Sequence, residues 1–175
     1  MLALGLAEPA GAKNPWRQLH RPIDLPQLAP GSACPVSEID PWVDWDSINI
    51  FGGSGIGPGP VYPGLGFSNG HLEATGPPVG AWFQEKLFWY VSPSYRGRVL
   101  IRGRRLDGPD PLRFYEFDRA RPTELRIDRG ETVGTAPPGS RGHPSGVGFR
   151  ASGCYGFQID GKGLRGVVVI TAATI

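Results

Sequence analysis

Three histidines, two cysteines, five tryptophans and sixteen acidic side chains carry the chemical potential of this 175-residue chain, and their spacing limits what they can do. His20, His71 and His143 each sit in a proline- or glycine-rich context, and no pair has the close spacing that local zinc motifs use. Cys34 and Cys154 are separated by 120 residues and match no metal-ligand pattern. No metal or other cofactor is expected. A Ser-His-Asp triad assembles in space rather than along the chain, so counting residues does not decide it. A small hydrolase built on His143 or His71 therefore stays open as an alternative. Asp44, Asp46 and acids further along supply carboxylates for glycoside hydrolysis, but nothing in the sequence sets their separation. Trp42, Trp45 and Trp82 offer a third kind of chemistry. Two of them share an acidic, polar stretch and the third borders a turn, which suits a platform for sugar rings.

The glycine-proline run Gly52 to Pro60 invites enzyme motifs and fails each one. A nucleophile elbow needs Gly-x-Ser-x-Gly, and Ile56 occupies the last glycine position. A dinucleotide fingerprint starting at Gly55 or Gly57 meets Pro60 or Tyr62 where its third glycine belongs. No Gly-Lys-Ser/Thr follows, so no P-loop forms. The run reads as a structural loop.

Positioning these residues falls to a chain of uneven texture. Gly and Pro supply 27 and 19 residues and cluster before residue 81. Residues 1–85 carry three basic groups against eight acids, and residues 86–175 carry fifteen against eight, so the halves should attract. Five arginines fall between Arg96 and Arg105; the strand alternation places Arg98, Leu100, Arg102 and Arg104 on one face against Val99 and Ile101, and reads as a solvated face rather than a nucleic-acid surface. No run reaches the roughly twenty apolar residues of a membrane span. Residues 1–12 end in Ala10-Gly11-Ala12, which fits either the stub of a signal peptide whose start lies upstream of Met1 or an alanine-rich disordered leader.

The clearest element is the last one. Cys154 to Ile159 and Gly166 to Thr171 form a β-hairpin, with Tyr155, Phe157 and Ile159 on one face and Cys154, Gly156 and Gln158 on the other. Asp160-Gly161 is the expected reversal. Lys86–Val91, Arg98–Arg105, Leu112–Phe117, Glu124–Asp128 and Gly146–Ala151 read as further short strands, whose spacing indicates an antiparallel sandwich over residues 81–175. Residues 13–80 are expected to be irregular, with prolines at 15, 22, 26, 30 and 35 holding the first part extended. The cysteines are either joined, pinning that segment to the hairpin, or are two buried thiols.

Trp89 with Val91, the Arg98–Leu106 strand before Asp107-Gly108, and Gly153-Cys154-Tyr155-Gly156-Phe157-Gln158-Ile159-Asp160-Gly161 together resemble an immunoglobulin-like β-sandwich. In particular they resemble uncharacterised exported or lipid-anchored bacterial proteins that end in a Gly-Cys-aromatic strand and an apolar last strand. The resemblance covers residues 81–175 and implies a fold class, an all-β antiparallel immunoglobulin-like sandwich, and an extracytoplasmic location. It brings no catalytic residue. Ser152 stands where the corner tyrosine of antibody domains lies, and the Lys86–Val91 strand has no cysteine, so Cys34 is the one intramolecular partner for Cys154. The function expected is non-catalytic binding or structure in a secreted or envelope protein, with an unknown protein or glycan as partner and no nucleic acid. A carbohydrate-binding module is the first alternative.

Overall fold

A computed structural model describes residues 14–40, 43, 55–64, 70–116, 123–130 and 138–175. The leader, Trp42, Trp45 and Asp44 to Ser54 lie outside the described residues. Among those described, the strands are β1 (Ile39–Asp40), β2 (Gly55–Ile56), β3 (Val61–Gly64), β4 (His71–Ala74), β5 (Phe83–Val91), β6 (Val99–Arg105), β7 (Arg113–Tyr115), β8 (Glu124–Ile127), β9 (Arg141–Phe149), β10 (Gly153–Gly161) and β11 (Leu164–Thr174). They form one sheet in the order β1-β2-β3-β5-β9-β7 and a second in the order β4-β11-β10-β6-β8. All pairs are antiparallel except β4 with β11, which run parallel through Thr171↔His71 to Thr174↔Ala74. The protein is all-β, with two sheets facing each other across one core.

Period-two alternation fills that core. Leu87, Trp89 and Val91 of β5 and Val147 and Phe149 of β9 meet Val99, Ile101, Tyr155, Phe157 and Ile159 of the other sheet. Trp89 is fully buried and meets Phe157 edge-on, with centroids 5.3 Å apart and planes at 85°. Each such buried apolar side chain contributes about 1.5–3 kcal/mol.

Three features depart from the sequence reading. The hairpin reverses at Lys162-Gly163, two residues later than expected, because Asp160 and Gly161 stay paired with Arg165 and Leu164. Gly163 supplies the positive φ of 71°. Strands β1, β2, β3 and β4 lie inside the stretch expected to be irregular, and β9 starts at Arg141, five residues before the strand expected from Gly146. Pro63 removes no ladder bond to β5, because of its orientation. The Ser92 N–H donates to Pro60 O, so hydrogen-bonded positions alternate through Tyr62↔Tyr90, and the nitrogen of Pro63 faces away from β5.

Tyr155, directly after the cysteine, bonds back to the chain upstream. Its hydroxyl donates to Ala151 O at 2.6 Å, four residues upstream, and burial pushes its pKa up to about 12. A raised folded-state value means that the hydroxyl's stabilisation is complete below the unfolded value of 10.0 and is lost as pH rises towards 12. Tyr155→Phe is expected to cost about 1 kcal/mol at neutral pH and to remove part of the alkaline loss. Urea midpoints of both proteins across that range check it, and parallel pH profiles would rule the assignment out.

Candidate functional site

Residues 14–40 form a strap that crosses the outer face of the sheet containing β10. After one 3-10 turn, Arg17–Leu19, prolines 22, 26, 30 and 35 hold it extended, so its peptide groups meet one another only in short turns such as Ser32 N–H to Ala29 O at 3.1 Å, and elsewhere need other partners. The sheet satisfies them instead. Arg102 Nη2 donates to Arg21 O at 2.5 Å, Gln158 Nε2 to Pro22 O at 3.1 Å, and Arg104 Nη2 to Leu25 O at 2.9 Å. In the other sense, Asp24 N–H donates to Gln158 Oε1 at 2.6 Å, Leu28 N–H to Leu106 O at 2.8 Å, and Ser37 N–H to Val169 O at 2.9 Å.

The arginine face is therefore covered, which corrects its reading as solvated. Alternation is as expected, with Val99 and Ile101 in the core, but Leu100 on the other face is fully buried and the Arg102 side chain is only 13 % exposed. The two halves meet through strap carbonyls that accept from Arg102 and Arg104, and through the ion pair of Arg165 with Asp24 at 3.5 Å. Arg105 does find acids, bonding Asp107 at 2.7 Å and Asp110 at 3.2 Å. Burial raises the Asp107 pKa, but the hydrogen bonds from Arg105 and the Cys154 N–H and the Arg105 charge outweigh it, leaving that pKa below its ordinary value.

Beneath the strap, Asp160 is fully buried on β10. Its Oδ2 accepts from Arg102 at 2.7 Å and from Gln158 Nε2 at 2.8 Å, and Arg21 approaches Oδ1 to 3.8 Å. Arg21 also donates to Gly161 O and Leu164 O, each at 3.0 Å, tying the strap to the hairpin turn. The covalent fastener is Cys34–Cys154, with sulfurs 2.00 Å and Cα atoms 5.5 Å apart. Around it Leu25, Leu106, Cys154 and Val169 make a second apolar cluster. Gly156 leaves the room this needs, since a Cβ there would lie 2.9 Å from Leu106 and 3.3 Å from Leu25.

The remaining candidates are scattered. Trp82 is 3 % exposed, with the guanidinium carbons of Arg113 and Arg150 over its ring at 4.4 and 4.7 Å, so it offers no free platform. Trp42 and Trp45 lie outside the described residues; Val43 between them packs on the stacked pair Tyr62 and Tyr90. The histidines have separate partners: His20 meets Glu124 at 3.4 Å, His71 hydrogen-bonds Thr171, and His143 meets Glu116 at 3.5 Å. Among the described residues no group of three potential metal ligands comes together, and no helix is long and apolar enough to cross a membrane.

Sequence reasoning missed Asp160, Gln158 and Arg21 as a set. The signal was present, because Gln158 and Asp160 share the Cys154 face at period two, but placing Asp160 in the turn hid it. The fold and this site define a two-sheet β protein whose amino-terminal strap is clamped and cross-linked across one sheet. Comparison of the chain with family models, with curated proteins and with solved structures returns no significant match.

Proposed function

We propose that the chain is a non-catalytic extracytoplasmic protein, secreted or envelope-associated, that acts by binding or as structure through an immunoglobulin-like sandwich. The observation that carries the reading is the Cys34–Cys154 bond across the strap. Such bonds persist in oxidising compartments and are reduced in most cytosols. The immunoglobulin-like description draws support from the buried Trp89 and from Tyr155, whose hydroxyl bonds back to the chain beside the cysteine. The parallel β4–β11 pair and a disulfide running to a strap distinguish this sandwich from antibody domains.

A glycan-binding reading is the second, with Trp42 and Trp45 as its aromatic candidates. It is favoured by Val43, which lies between them in sequence and packs on the Tyr62–Tyr90 pair on the outer side of the first sheet. Alkylating the protein under denaturing conditions without reductant, directly from the cells that make it, tests the location. Intact mass should show neither cysteine labelled in a monomer. Labelling of both would overturn the extracytoplasmic reading.

A further inference from the structure

Arg113 lies on the edge strand β7 and Arg150 directly after β9, and both guanidinium groups converge on one indole. Their central carbons stand over the Trp82 ring at 4.4 and 4.7 Å from its centre. Two like charges drawn to one ring repel each other, and neither is paired with a carboxylate among the described residues. This separates them from Arg102, Arg105 and Arg126, whose charges Asp160, Asp107 and Glu124 offset. The indole between them is fixed. Trp82 is buried, its carbonyl accepts the Val79 N–H at 2.9 Å, and Gly80 turns the chain between them at φ 63°. A guanidinium over an aromatic ring keeps its N–H donors in its own plane, where oxygen acceptors reach them two at a time.

We propose that Arg113 and Arg150, held over Trp82, form a binding site for an oxyanion group carried on a larger anionic ligand. The ligand chemistry is that of a sulfate, phosphate or carboxylate, whose oxygens suit the planar donors of a guanidinium group. The positive charge at this end of the sheet, unmatched by a carboxylate among the described residues, is answered by the ligand. Arg150 is exposed and Arg113 half-buried, so an anion can reach the pair without unfolding the hairpin at Gly80. The assignment names a ligand class for the binding reading above and rests on that reading, although its test does not depend on where the protein resides.

Fluorescently labelled heparin oligosaccharide serves as the sulfated probe, and polygalacturonate and inorganic phosphate as competitors, with the full chain at about 50 mM salt. Arg113→Gln with Arg150→Gln is expected to weaken heparin binding about tenfold or more and to lower the slope of log affinity against log salt by roughly two. Arg126→Gln, which removes a guanidinium already paired with Glu124, should change it little. Competition by polygalacturonate or by phosphate identifies carboxylate or phosphate as the native group, and heparin binding alone identifies sulfate. No binding of any probe by the wild type, or equal binding by the double variant, overturns the site. Either negative leaves the extracytoplasmic reading standing, because the alkylation state of Cys34 and Cys154 decides that separately.

Discussion

Replacing both Cys34 and Cys154 with alanine is expected to lower the free energy of unfolding by about 5 kcal/mol, the loop-closure value for a cross-link spanning 120 residues. The figure follows from the unfolded chain, which the bond holds in a closed loop that contains most of the sandwich. Two folded-state effects modify it. Cys154 is buried in the cluster of Leu25, Leu106 and Val169, so truncation opens a small apolar gap there. The strap's hydrogen bonds to Arg102, Arg104 and Gln158 remain, so its central part stays docked in the folded molecule. Urea denaturation of the wild type with and without reductant, alongside the double variant, measures the change. A loss below about 1 kcal/mol would sink the loop-closure argument. Since domains retain about 5–15 kcal/mol in total, a chain this dependent on one bond folds securely only where the bond endures.

The hairpin, the core tryptophan and the alternation of β6 are legible in the sequence because each is a local pattern. Tyr155, Phe157 and Ile159 declare one face by spacing alone, and the apolar residues of β11 declare a strand covered on both sides. What covers the second side was not legible. Strap docking depends on carbonyl groups of Arg21, Pro22 and Leu25, and every residue carries such a group. Side-chain patterns hold no record of which carbonyls meet which guanidinium. The same limit applies to β3 and β9, which carry Pro63 and Pro144 inside paired strands. Whether a proline costs a ladder bond depends on which neighbour its nitrogen faces, and that is fixed only when strands pair.

The candidate site divides along the same line. The two cysteines stood out as the only intramolecular pair, while the tryptophan platform rested on composition near turns, which does not report burial. Trp82 borders a turn as expected, yet its ring is covered by arginines from β7 and from the end of β9. Those strands are neighbours in the sheet but 37 residues separate the two arginines in the chain.

Asp160→Ala is expected to destabilise the protein by about 3 kcal/mol, because it strands the Arg102 guanidinium beneath the strap without its counter-charge. The damage should also spread in a defined direction. Asp160 Oδ2 accepts from Gln158 Nε2, and this fixes the Gln158 amide so that its Oε1 faces the Asp24 N–H. Without the carboxylate that amide is held by its 3.1 Å bond to Pro22 O alone, so the strap bond from the Asp24 N–H, accepted by a residue that was not mutated, is expected to weaken. Hydrogen exchange resolves this from a general loosening: protection should fall at Asp24 more than at core amides such as that of Phe157. Pairing Asp160→Leu with Arg102→Met removes both charges together, so it should recover much of the global stability. It should not restore protection at Asp24, since leucine cannot orient the Gln158 amide. Recovery of both would show that the stranded Arg102 charge, and not the lost hydrogen bond to Gln158, had loosened the strap.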